Sequence, residues 1–582
     1  MTIREEIRNL IEKAVSSFAE ATEDKDFTVE VPENKNYGDY ATNVALILVP
    51  RRGSGQSPME IAEEIKSKIK SDLFEKIEVV GPGFINFYLK PEFLQEKIRE
   101  IIKQGKKFGS SKIGKGKTVI IDYSAPNIAK KMHVGHLRST IIGGALYNIY
   151  KFLGYKTIGD NHLGDWGTQF GIMISAIKLF YTPYKGFKED KKLHSLDGLT
   201  ISEMLNLYID YNKKMEDPVN GLTDEPKRQF KMLEDGDEEN KAIWAELTKK
   251  SLEEFNKIYN ILGIEFDEYK GESYYEPFLK EVIKDCENLG KKYYFKSNEA
   301  FLVDLSEFNN SPLLIKKSDG ATLYATRELA TIKDRVKSNP EKIIYVVGNE
   351  QTLHFQQVFQ AAELLNYISK EKLIHVKFGL ILDENHKKLA TRKGRFISAE
   401  DLISQIIELA EKTIKEKNPS LPEKERKEAA KIIGIGALKY NDLSQNRQSD
   451  IVFDWDKMLS FEGNSAPYIL YTYVRLQSIL GKTKFAGSFK PEFLKQNEEL
   501  DIVKKLIQFP DVVVNSAETF RMNNLTDYLY ELSSLVNNFY EKFNVLKADP
   551  NIRSVRLALI KAVTIVLKSG LNLLGINTIE KM

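Results

Sequence analysis

The sequence has little of several features that mark special classes of protein. Its one cysteine, Cys286, can form no internal disulfide bond and cannot build a thiolate zinc site alone, which agrees with a reducing compartment. Purely apolar runs are short, and the run at 44–49 ends at Pro50, far below the roughly 20 residues of a membrane helix. The first residues predict a helix with a capping box, Thr2 to Glu5, and not a secretory or transit peptide. We therefore expect a cytoplasmic protein without a membrane segment.

An excess of charge of one sign is also missing. The 85 basic and 83 acidic side chains nearly cancel, so any contact with nucleic acid must depend on local patches. With 582 residues, 42% of them hydrophobic and 29% charged, the chain has the composition of a globular protein of three or four domains. Function must therefore be sought in motifs.

Hydrophobic periodicity predicts a multidomain chain. Residues 1–109 combine helical and alternating patterns, which indicates an N-terminal α+β domain, and the stretch 105–112, rich in glycine, serine and lysine, predicts a linker. Strand and helix patterns alternate over 110–398, which predicts a Rossmann-like α/β domain with a parallel sheet and a charged helical insertion at about 181–256. Apolar residues three and four apart, without convincing strands after about Glu400, predict a helical connecting region at 399–458 and an all-α helical bundle at 459–582.

The first candidate site follows the buried strand predicted at 118–123. A loop interrupted by Pro126 leads into a helix that begins with His133, Gly135 and His136, at the place where open α/β sheets bind ligands. Histidines three apart share one face of the first turn, Gly135 leaves room for a ligand, and a helix N-terminus favours a polyphosphate. A histidine pair on a helix surface can also arise by chance, so the spacing alone leaves both interpretations open.

A second candidate is the basic loop, defined as residues 387–394, Lys387-Lys388-Leu389-Ala390-Thr391-Arg392-Lys393-Gly394. Its cations and terminal glycine could hold phosphate groups by charge, although most such runs are solvated surface. Three further segments stand between or beside these two: a glycine-rich turn with a tryptophan at 162–170, the segment Tyr324-Ala-Thr-Arg-Glu328, and the segment 347–355 with Gln351. Packing of Trp166 by its turn is the alternative to a functional role for that residue.

In this order the motifs resemble those of the arginyl members of the class I aminoacyl-tRNA synthetases. The string from Ser124 to Thr140 resembles their form of the "HIGH" signature, and the basic loop resembles their "KMSK" loop. Residues 162–169 fit the family pattern His-x-Gly-Asp-Trp-Gly-Thr-Gln. Residues 37–43 and 81–87 resemble the N-terminal domain that meets the outer corner of tRNA, and 545–576 resembles the helical anticodon-binding domain, so the similarity covers essentially the whole chain.

The resemblance implies ATP-dependent ligation of L-arginine to tRNA(Arg) through an arginyl-adenylate, in a monomer that needs bound tRNA for activation. ATP with Mg²⁺ is a substrate, and neither zinc nor an organic cofactor is expected. The implied catalytic residues are Lys130, His133, His136 and Lys388, and the implied ATP-binding residues are His133, Gly135, His136, Lys388 and Arg392. The implied arginine-binding residues are Asp122, Ser124, Ala125, Asn127, His136, Tyr324, Glu328 and Gln351. For tRNA, the resemblance points to Tyr37 and Asn43, which could equally serve the core of a small domain.

The sequence departs from the family pattern at two places. The basic loop has Leu389, Ala390 and Thr391 where the family has methionine, serine and a second lysine, and in arginyl enzymes a lysine before the first signature is thought to replace that second lysine. Here it is Lys130, with the adjacent Lys131 as the alternative. Glu328 stands where the family has aspartate, which keeps the carboxylate that a guanidinium requires but lengthens the side chain.

Two other functions compete with this interpretation. A cysteinyl synthetase would need a zinc site built partly from cysteines, which one cysteine cannot supply. A non-catalytic RNA-binding relative would explain the altered basic loop. It would have no use, however, for the retained residues of an ATP and amino-acid pocket.

Overall fold

The structure is a computed structural model. It describes residues 2–16, 27–52, 56–184, 186, 196, 198–217, 221–318, 322–383, 387, 398–483 and 489–581. Among the helices of these ranges, none combines the length and the apolar character needed to cross a membrane.

The first part of the chain is an antiparallel sheet with helices packed on it. Its elements are α1 (Ile3–Val15), β1 (Val29–Glu30), β2 (Tyr40–Thr42), α2 (Val44–Arg52), α3 (Pro58–Lys68), β3 (Phe74–Val80), β4 (Phe84–Leu89) and α4 (Pro91–Gln104). The strands lie in the order β1-β2-β4-β3. Helix α1 begins with the predicted capping box, because the Thr2 hydroxyl accepts from the Glu5 amide and the Glu5 carboxylate accepts from the Thr2 amide. The predicted α+β fold of this region is confirmed.

The middle of the chain alternates strands and helices. Its elements are β5 (Thr118–Asp122), α5 (Val134–Phe152), β6 (Lys156–Asp160), α6 (Thr168–Phe180), α7 (Ile201–Met215), α8 (Glu225–Asp235), α9 (Glu238–Leu262), α10 (Glu272–Tyr275), α11 (Leu279–Asn288), β7 (Tyr294–Ser297), β8 (Ala300–Val303), β9 (Leu313–Lys316), α12 (Tyr324–Arg335), β10 (Lys342–Tyr345), α13 (Thr352–Leu364), β11 (Leu373–His375), β12 (Ile381–Leu382), α14 (Ala399–Lys417), α15 (Glu423–Leu443), β13 (Ile451–Val452) and α16 (Trp455–Met458).

A parallel sheet lies at the centre of this region, in the order β11-β10-β5-β6. Strand β5 comes first in the chain but lies inside the sheet, between β6 and β10. The strand order therefore reverses between β5 and β10, the position whose carboxyl edge binds ligands in open α/β sheets. Val119, Ile120 and Ile121 of β5 are buried, as expected of a strand covered on both faces. The predicted Rossmann-like sheet is confirmed.

The last part of the chain is helical. It contains α17 (Ala466–Gly481), α18 (Asn497–Ile507), α19 (Phe509–Thr519), α20 (Asn523–Lys542) and α21 (Pro550–Leu573). The expectation that strands are missing after Glu400 is wrong at β13, whose two residues pair in parallel with β12. A two-residue strand leaves no periodic pattern, because it is fixed by its partner and not by its own sequence.

The chain forms two compact units. One contains residues 1–111, 460–573 and 577–582, and the other contains residues 112–459 and 574–576. Within the first unit, α4 packs against α18 and α21, and the Gln95 amide donates to the Leu494 carbonyl at 2.9 Å. Phe108 is buried and stacks on Phe509 at 6.3 Å between ring centroids, so the predicted linker is packed at this residue. The predicted domain boundaries at 109, 398 and 458 stay predictions.

Lys439 is a buried cation in the second unit. Its ammonium group donates to the carbonyls of Leu262 and Gly575, both at 2.5 Å, and its side chain is 1% exposed. Burial lowers the pKa of Lys439 to about 8. Carbonyl oxygens can accept from the neutral amine as well as from the cation, so the folded protein tolerates the loss of this proton.

We expect Lys439 to make stability rise with pH. Between about pH 8 and 10.5 the unfolded chain still binds the proton that the folded chain has released, so raising the pH favours the folded state. Relative to Lys439→Met, the free energy of unfolding of the wild type should gain on the order of 2–3 kcal/mol over that window, at about 1.36 kcal/mol per pKa unit. Urea unfolding of both proteins from pH 7.5 to 10 measures the difference. A difference that does not change with pH would contradict the assignment.

Candidate active site

The loop after β5 is held in a strained shape. Ser124, Ala125 and Ala129 have φ angles of 73°, 46° and 60°, in the left-handed region that non-glycine residues rarely occupy. The Ser124 amide donates to the Ser139 hydroxyl at 2.9 Å, and the Ala125 amide donates to the Asn161 side-chain oxygen at 3.1 Å. The surrounding elements therefore impose a backbone path that the loop would not adopt alone.

The Ser124 hydroxyl belongs to a buried hydrogen-bond network. It bonds to the Tyr259 hydroxyl at 2.8 Å and accepts from the Thr140 hydroxyl at 2.8 Å. Thr140 lies on α5, one turn after His136, whose carbonyl can also accept from the same hydroxyl at 2.7 Å. The network connects the loop to the histidine helix. Ser124 therefore supports the shape of the loop through buried bonds to Tyr259 and Thr140.

His133 and His136 form a stacked pair at the start of α5. Their ring centroids are 3.7 Å apart. The Gly135 amide donates to Nδ1 of His133 at 3.1 Å, and the His133 amide donates to Nδ1 of His136 at 3.4 Å, so His133 is the N-cap. Because Nδ1 is an acceptor in both rings, the neutral tautomer carries its proton on Nε2. Each ring thus keeps one donor for a ligand.

The predicted room at Gly135 is filled by a neighbouring side chain. A Cβ atom at this position would lie 2.9 Å from Cε1 of His133. A glycine is needed here because the histidine ring folds back over the first turn of the helix. The missing side chain at Gly135 makes room for the His133 ring, and it affects a ligand only by allowing that position of the ring.

The histidines are neutral near pH 7. Desolvation lowers the pKa of His133, and the cation of Lys130 lowers it further. The pKa of His136 is lowered by burial first, then by His133 and by Lys130. The pair therefore offers hydrogen-bond donors, and the positive charge at the helix start comes from Lys130.

Lys130 should matter more than Lys131. The Lys130 ammonium lies 5.8 Å from the centre of the Tyr208 ring and acts on both histidines, whereas Lys131 is exposed. We expect Lys130→Ala to lower the rate of ATP–pyrophosphate exchange by roughly tenfold, as a single charge-assisted contact would, and Lys131→Ala to change it less than twofold. Steady-state exchange kinetics of both variants decide between them. An equal loss in the two would contradict the choice.

Asn127 packs against the glycine-rich turn that follows β6. Asn127 and Gly164 form an isolated parallel β-bridge. A Cβ atom at Gly164 would lie 2.2 Å from the Asn127 side-chain oxygen. In the same turn Asp165 accepts from the amide and hydroxyl of Ser273 at 2.8 and 2.6 Å. Trp166 contacts Phe230 and Trp244 edge to face, which supports the packing interpretation for this residue. The turn supports the loop that carries Asn127.

Helix α12 directs three side chains to one side. Tyr324, Glu328 and Arg335 are separated by four and seven residues, so they share a helix face. Arg335 donates to Asp122 at 2.7 Å and to Asp160 at 2.6 Å. The side chains of Arg335, Asp122 and Asp160 are all buried. These carboxylates end the adjacent strands β5 and β6, where Asp122 pairs in register with Asp160. Arg335 thus fixes α12 at the carboxyl edge of the sheet.

Glu328 carries a buried carboxylate oxygen on this face of α12. Its Oε2 atom is buried and has no hydrogen-bond partner among the residues that the structure describes. Desolvation opposes the charged form of His162, but Asp122 and Glu328 outweigh it and raise the pKa of that histidine. Asp122 and Glu328 therefore both act on His162. Tyr324 lies one turn before Glu328 and is 65% exposed.

Gln351 ends the turn that follows β10. The Asn349 amide donates to the Phe378 carbonyl at 2.9 Å, and its side chain donates to the Gln448 carbonyl at 3.0 Å. Gln351 is exposed, and its amide donates to Gly348 at 3.2 Å. Tyr345, the last residue of β10, is opposite Asp122, so Gln351 belongs to the same edge of the sheet.

Several predicted residues cannot be placed in this site. Lys388 and Arg392 of the basic loop, with Leu389, Ala390 and Thr391, lie outside the described residues. In the other unit, Tyr37 is exposed. The side-chain oxygen of Asn43 accepts from the Thr28 amide at 2.9 Å, so Asn43 takes part in a hydrogen bond within the fold.

Sequence reasoning missed two residues of the site. Asp160 ends β6 and Arg335 lies two turns after Glu328, and neither belongs to one of the quoted motifs. The spacing of Arg335 from Glu328 was the signal that could have indicated a shared face. Its pairing with two carboxylates from different strands depends on the sheet and could not be read from the chain.

The fold and the matching family models are those of a class I tRNA synthetase. The family model of the tRNA synthetases class I (R), catalytic domain, matches residues 97–455. The DALR anticodon binding domain matches residues 469–582, and the arginyl tRNA synthetase N terminal domain matches residues 2–89.

Named relatives narrow this class to one amino acid. The chain is 42% identical to an arginine–tRNA ligase of Clostridium botulinum, with 95% of this chain and 96% of the relative covered, and 40% identical to that of Halothermothrix orenii, with 100% and 99% covered. The arginyl-tRNA synthetase structure from Plasmodium falciparum has a TM-score of 0.84 at 28% identity, with 100% and 99% covered. That from Thermus thermophilus, at 21% identity and a TM-score of 0.83 over the full length of both chains, shows the fold alone. The chain belongs to the arginine–tRNA ligase family.

Proposed function

We propose that this chain joins L-arginine to tRNA(Arg) in two steps. The carboxylate of arginine attacks the α-phosphorus of ATP, the bond from that phosphorus to the bridging oxygen breaks, and pyrophosphate leaves. The 3′-terminal ribose hydroxyl of the tRNA then attacks the carbonyl carbon of the adenylate, and AMP leaves while the hydroxyl proton is released. The observation that carries the proposal is the buried Oε2 of Glu328, which has no partner among the described residues and lies on the same face of α12 as Arg335.

The amino-acid pocket is proposed between α12 and the ends of β5 and β10. The guanidinium of arginine is a planar fork of donors, and Glu328 supplies the acceptor, with the Tyr324 hydroxyl beside it. Asn127 and Gln351 lie on the loops after β5 and β10 and are proposed to bind the α-amino end. Asp122, Ser124 and Ala125 are proposed to act largely by shape and charge, because Arg335, Tyr259 and Asn161 already bond to them.

ATP is proposed to bind over the start of α5. The Nε2–H groups of His133 and His136 can donate to phosphate oxygens, and Lys130 adds a positive charge beside them. Lys388 and Arg392 are proposed to add cations from the basic loop. Within the described ranges, no group of three or more His, Cys, Asp or Glu side chains is placed to hold a metal ion. We propose that Mg²⁺ enters as part of the MgATP substrate.

The direct test is a charging assay with each of the twenty amino acids. We expect arginine alone to become attached to tRNA, and ATP–pyrophosphate exchange with arginine to appear only when tRNA is added. Attachment of a different amino acid would refute the substrate, and exchange without RNA would refute the tRNA requirement. We also propose that the enzyme is a cytoplasmic monomer, which sedimentation and cell fractionation can check.

A further inference from the structure

The guanidinium of Arg138 joins three segments of the chain. Arg138 lies on α5, two residues after His136, and its side chain is fully buried. Its Nε donates to Asp442 of α15 at 3.0 Å, and Nη1 donates to the Gly379 carbonyl at 2.7 Å. Further contacts reach the carbonyls of Ser449 at 3.4 Å and Arg447 at 3.3 Å.

The segment that Arg138 contacts leads into the basic loop. We call residues 377–383 the loop base. The Gly379 amide donates to Arg447 at 2.9 Å, the Leu380 amide donates to the Asp450 carboxylate at 2.7 Å, and β12 then pairs with β13. A Cβ atom at Gly379 would lie 2.5 Å from the Ser449 carbonyl oxygen, so the two segments are in close backbone contact. The loop base is therefore a fixed platform.

The chain after the basic loop returns to the same helix start. Ser398 forms a β-bridge with His133, and the Ala399 amide donates to the Met132 carbonyl at 2.9 Å. The chain after the basic loop is thus held to the start of the histidine helix by backbone bonds at Ser398 and Ala399. The loop base before it is joined to the same helix through the Arg138 side chain.

We propose that Arg138 is a positioning residue that sets the loop base relative to His133 and His136. A phosphate chain shared by the histidines and by the loop's cations can be stabilised only if both groups of donors keep a fixed separation. The planar fork of arginine suits this task, because it bonds a carboxylate and several carbonyls at fixed angles, which a lysine cannot reproduce. The inference rests on the proposed function.

The test is Arg138→Lys, which keeps the charge and loses the fork, together with Asp442→Asn. We expect each to raise the KM for ATP and lower the kcat of arginine-dependent exchange by roughly tenfold, the size of one lost charge-assisted bond, with the KM for arginine within twofold of wild type. The matched control is Arg426→Lys, since Arg426 of α15 and Glu411 of α14 form another arginine–carboxylate pair, at 3.2 Å, outside the proposed site and the anticodon-binding domain. With saturating tRNA the control should keep its exchange constants.

Three results would overturn the inference. In the first, both test variants keep kcat and the KM for ATP within twofold of wild type. In the second, the KM for arginine rises as much as that for ATP, which indicates a general distortion of the site. In the third, Arg426→Lys loses exchange to the same degree. If Arg138→Lys fails to fold, Asp442→Asn decides alone, because it leaves the three carbonyl contacts in place. A wild-type protein without arginine-dependent exchange would instead refute the proposed function.

Discussion

Glu328→Gln should lower kcat/KM for arginine by roughly 100- to 1,000-fold. Glutamine has nearly the same shape, but it replaces a charged acceptor with a neutral amide that presents donors to a guanidinium. Truncating or neutralising one partner of a buried charge pair costs about 2–5 kcal/mol, and the expected loss of about 3–4 kcal/mol lies inside that range. The buried Oε2 of Glu328 has no competing partner within the described residues, so little in the protein offsets the loss. Steady-state exchange at saturating ATP and tRNA measures the effect.

Two comparisons make the Glu328 result specific. Glu328→Asp keeps the charge and shortens the side chain by one methylene, so it should retain activity within about tenfold of wild type. The KM for ATP should stay within twofold in both variants, because the ATP groups are on α5 and the carboxylate is on α12. If glutamine leaves kcat/KM for arginine unchanged, Glu328 is not the acceptor of the guanidinium.

His136→Ala should lower arginine-dependent ATP–pyrophosphate exchange by roughly 100- to 1,000-fold, while ATP binding changes less than threefold. A donor aimed at charge that develops in the transition state is worth about this much in a water-excluded site. Desolvation keeps the ring neutral, so its contribution is a hydrogen bond from Nε2 and not a positive charge. Exchange kinetics and equilibrium ATP binding, measured on the same preparation, separate the two quantities.

His136→Gln serves as the matched variant, because its amide can place a donor near the position of Nε2. It should recover a part of the lost rate. The alanine variant also removes the acceptor for the His133 amide, whose loss costs about 1 kcal/mol of stability, so the thermal midpoint must be recorded for both. Unchanged exchange in His136→Ala would remove the histidine pair from the proposed mechanism.

The catalytic core was the most predictable part of this protein. The buried strand β5, the helix at His133 and the later strand β10 follow from short apolar runs and helical spacing, which local sequence specifies directly. The reason for Gly135 was not predictable, since it depends on how the His133 ring folds back. The choice between Lys130 and Lys131 also remained open in the sequence, because adjacent residues on an irregular loop have no fixed period.

The sequence by itself determined the order of the elements, the histidine pair and the family to which its motifs point. These are local properties, fixed by residues close together in the chain. Only the tertiary structure decided that Arg335 binds the carboxylates of two strands, that Arg138 joins α5 to the loop base, and that the predicted linker buries Phe108. Such contacts depend on which distant segments the packed core brings within bonding distance, and that choice is made by burial and hydrogen bonding across the whole fold.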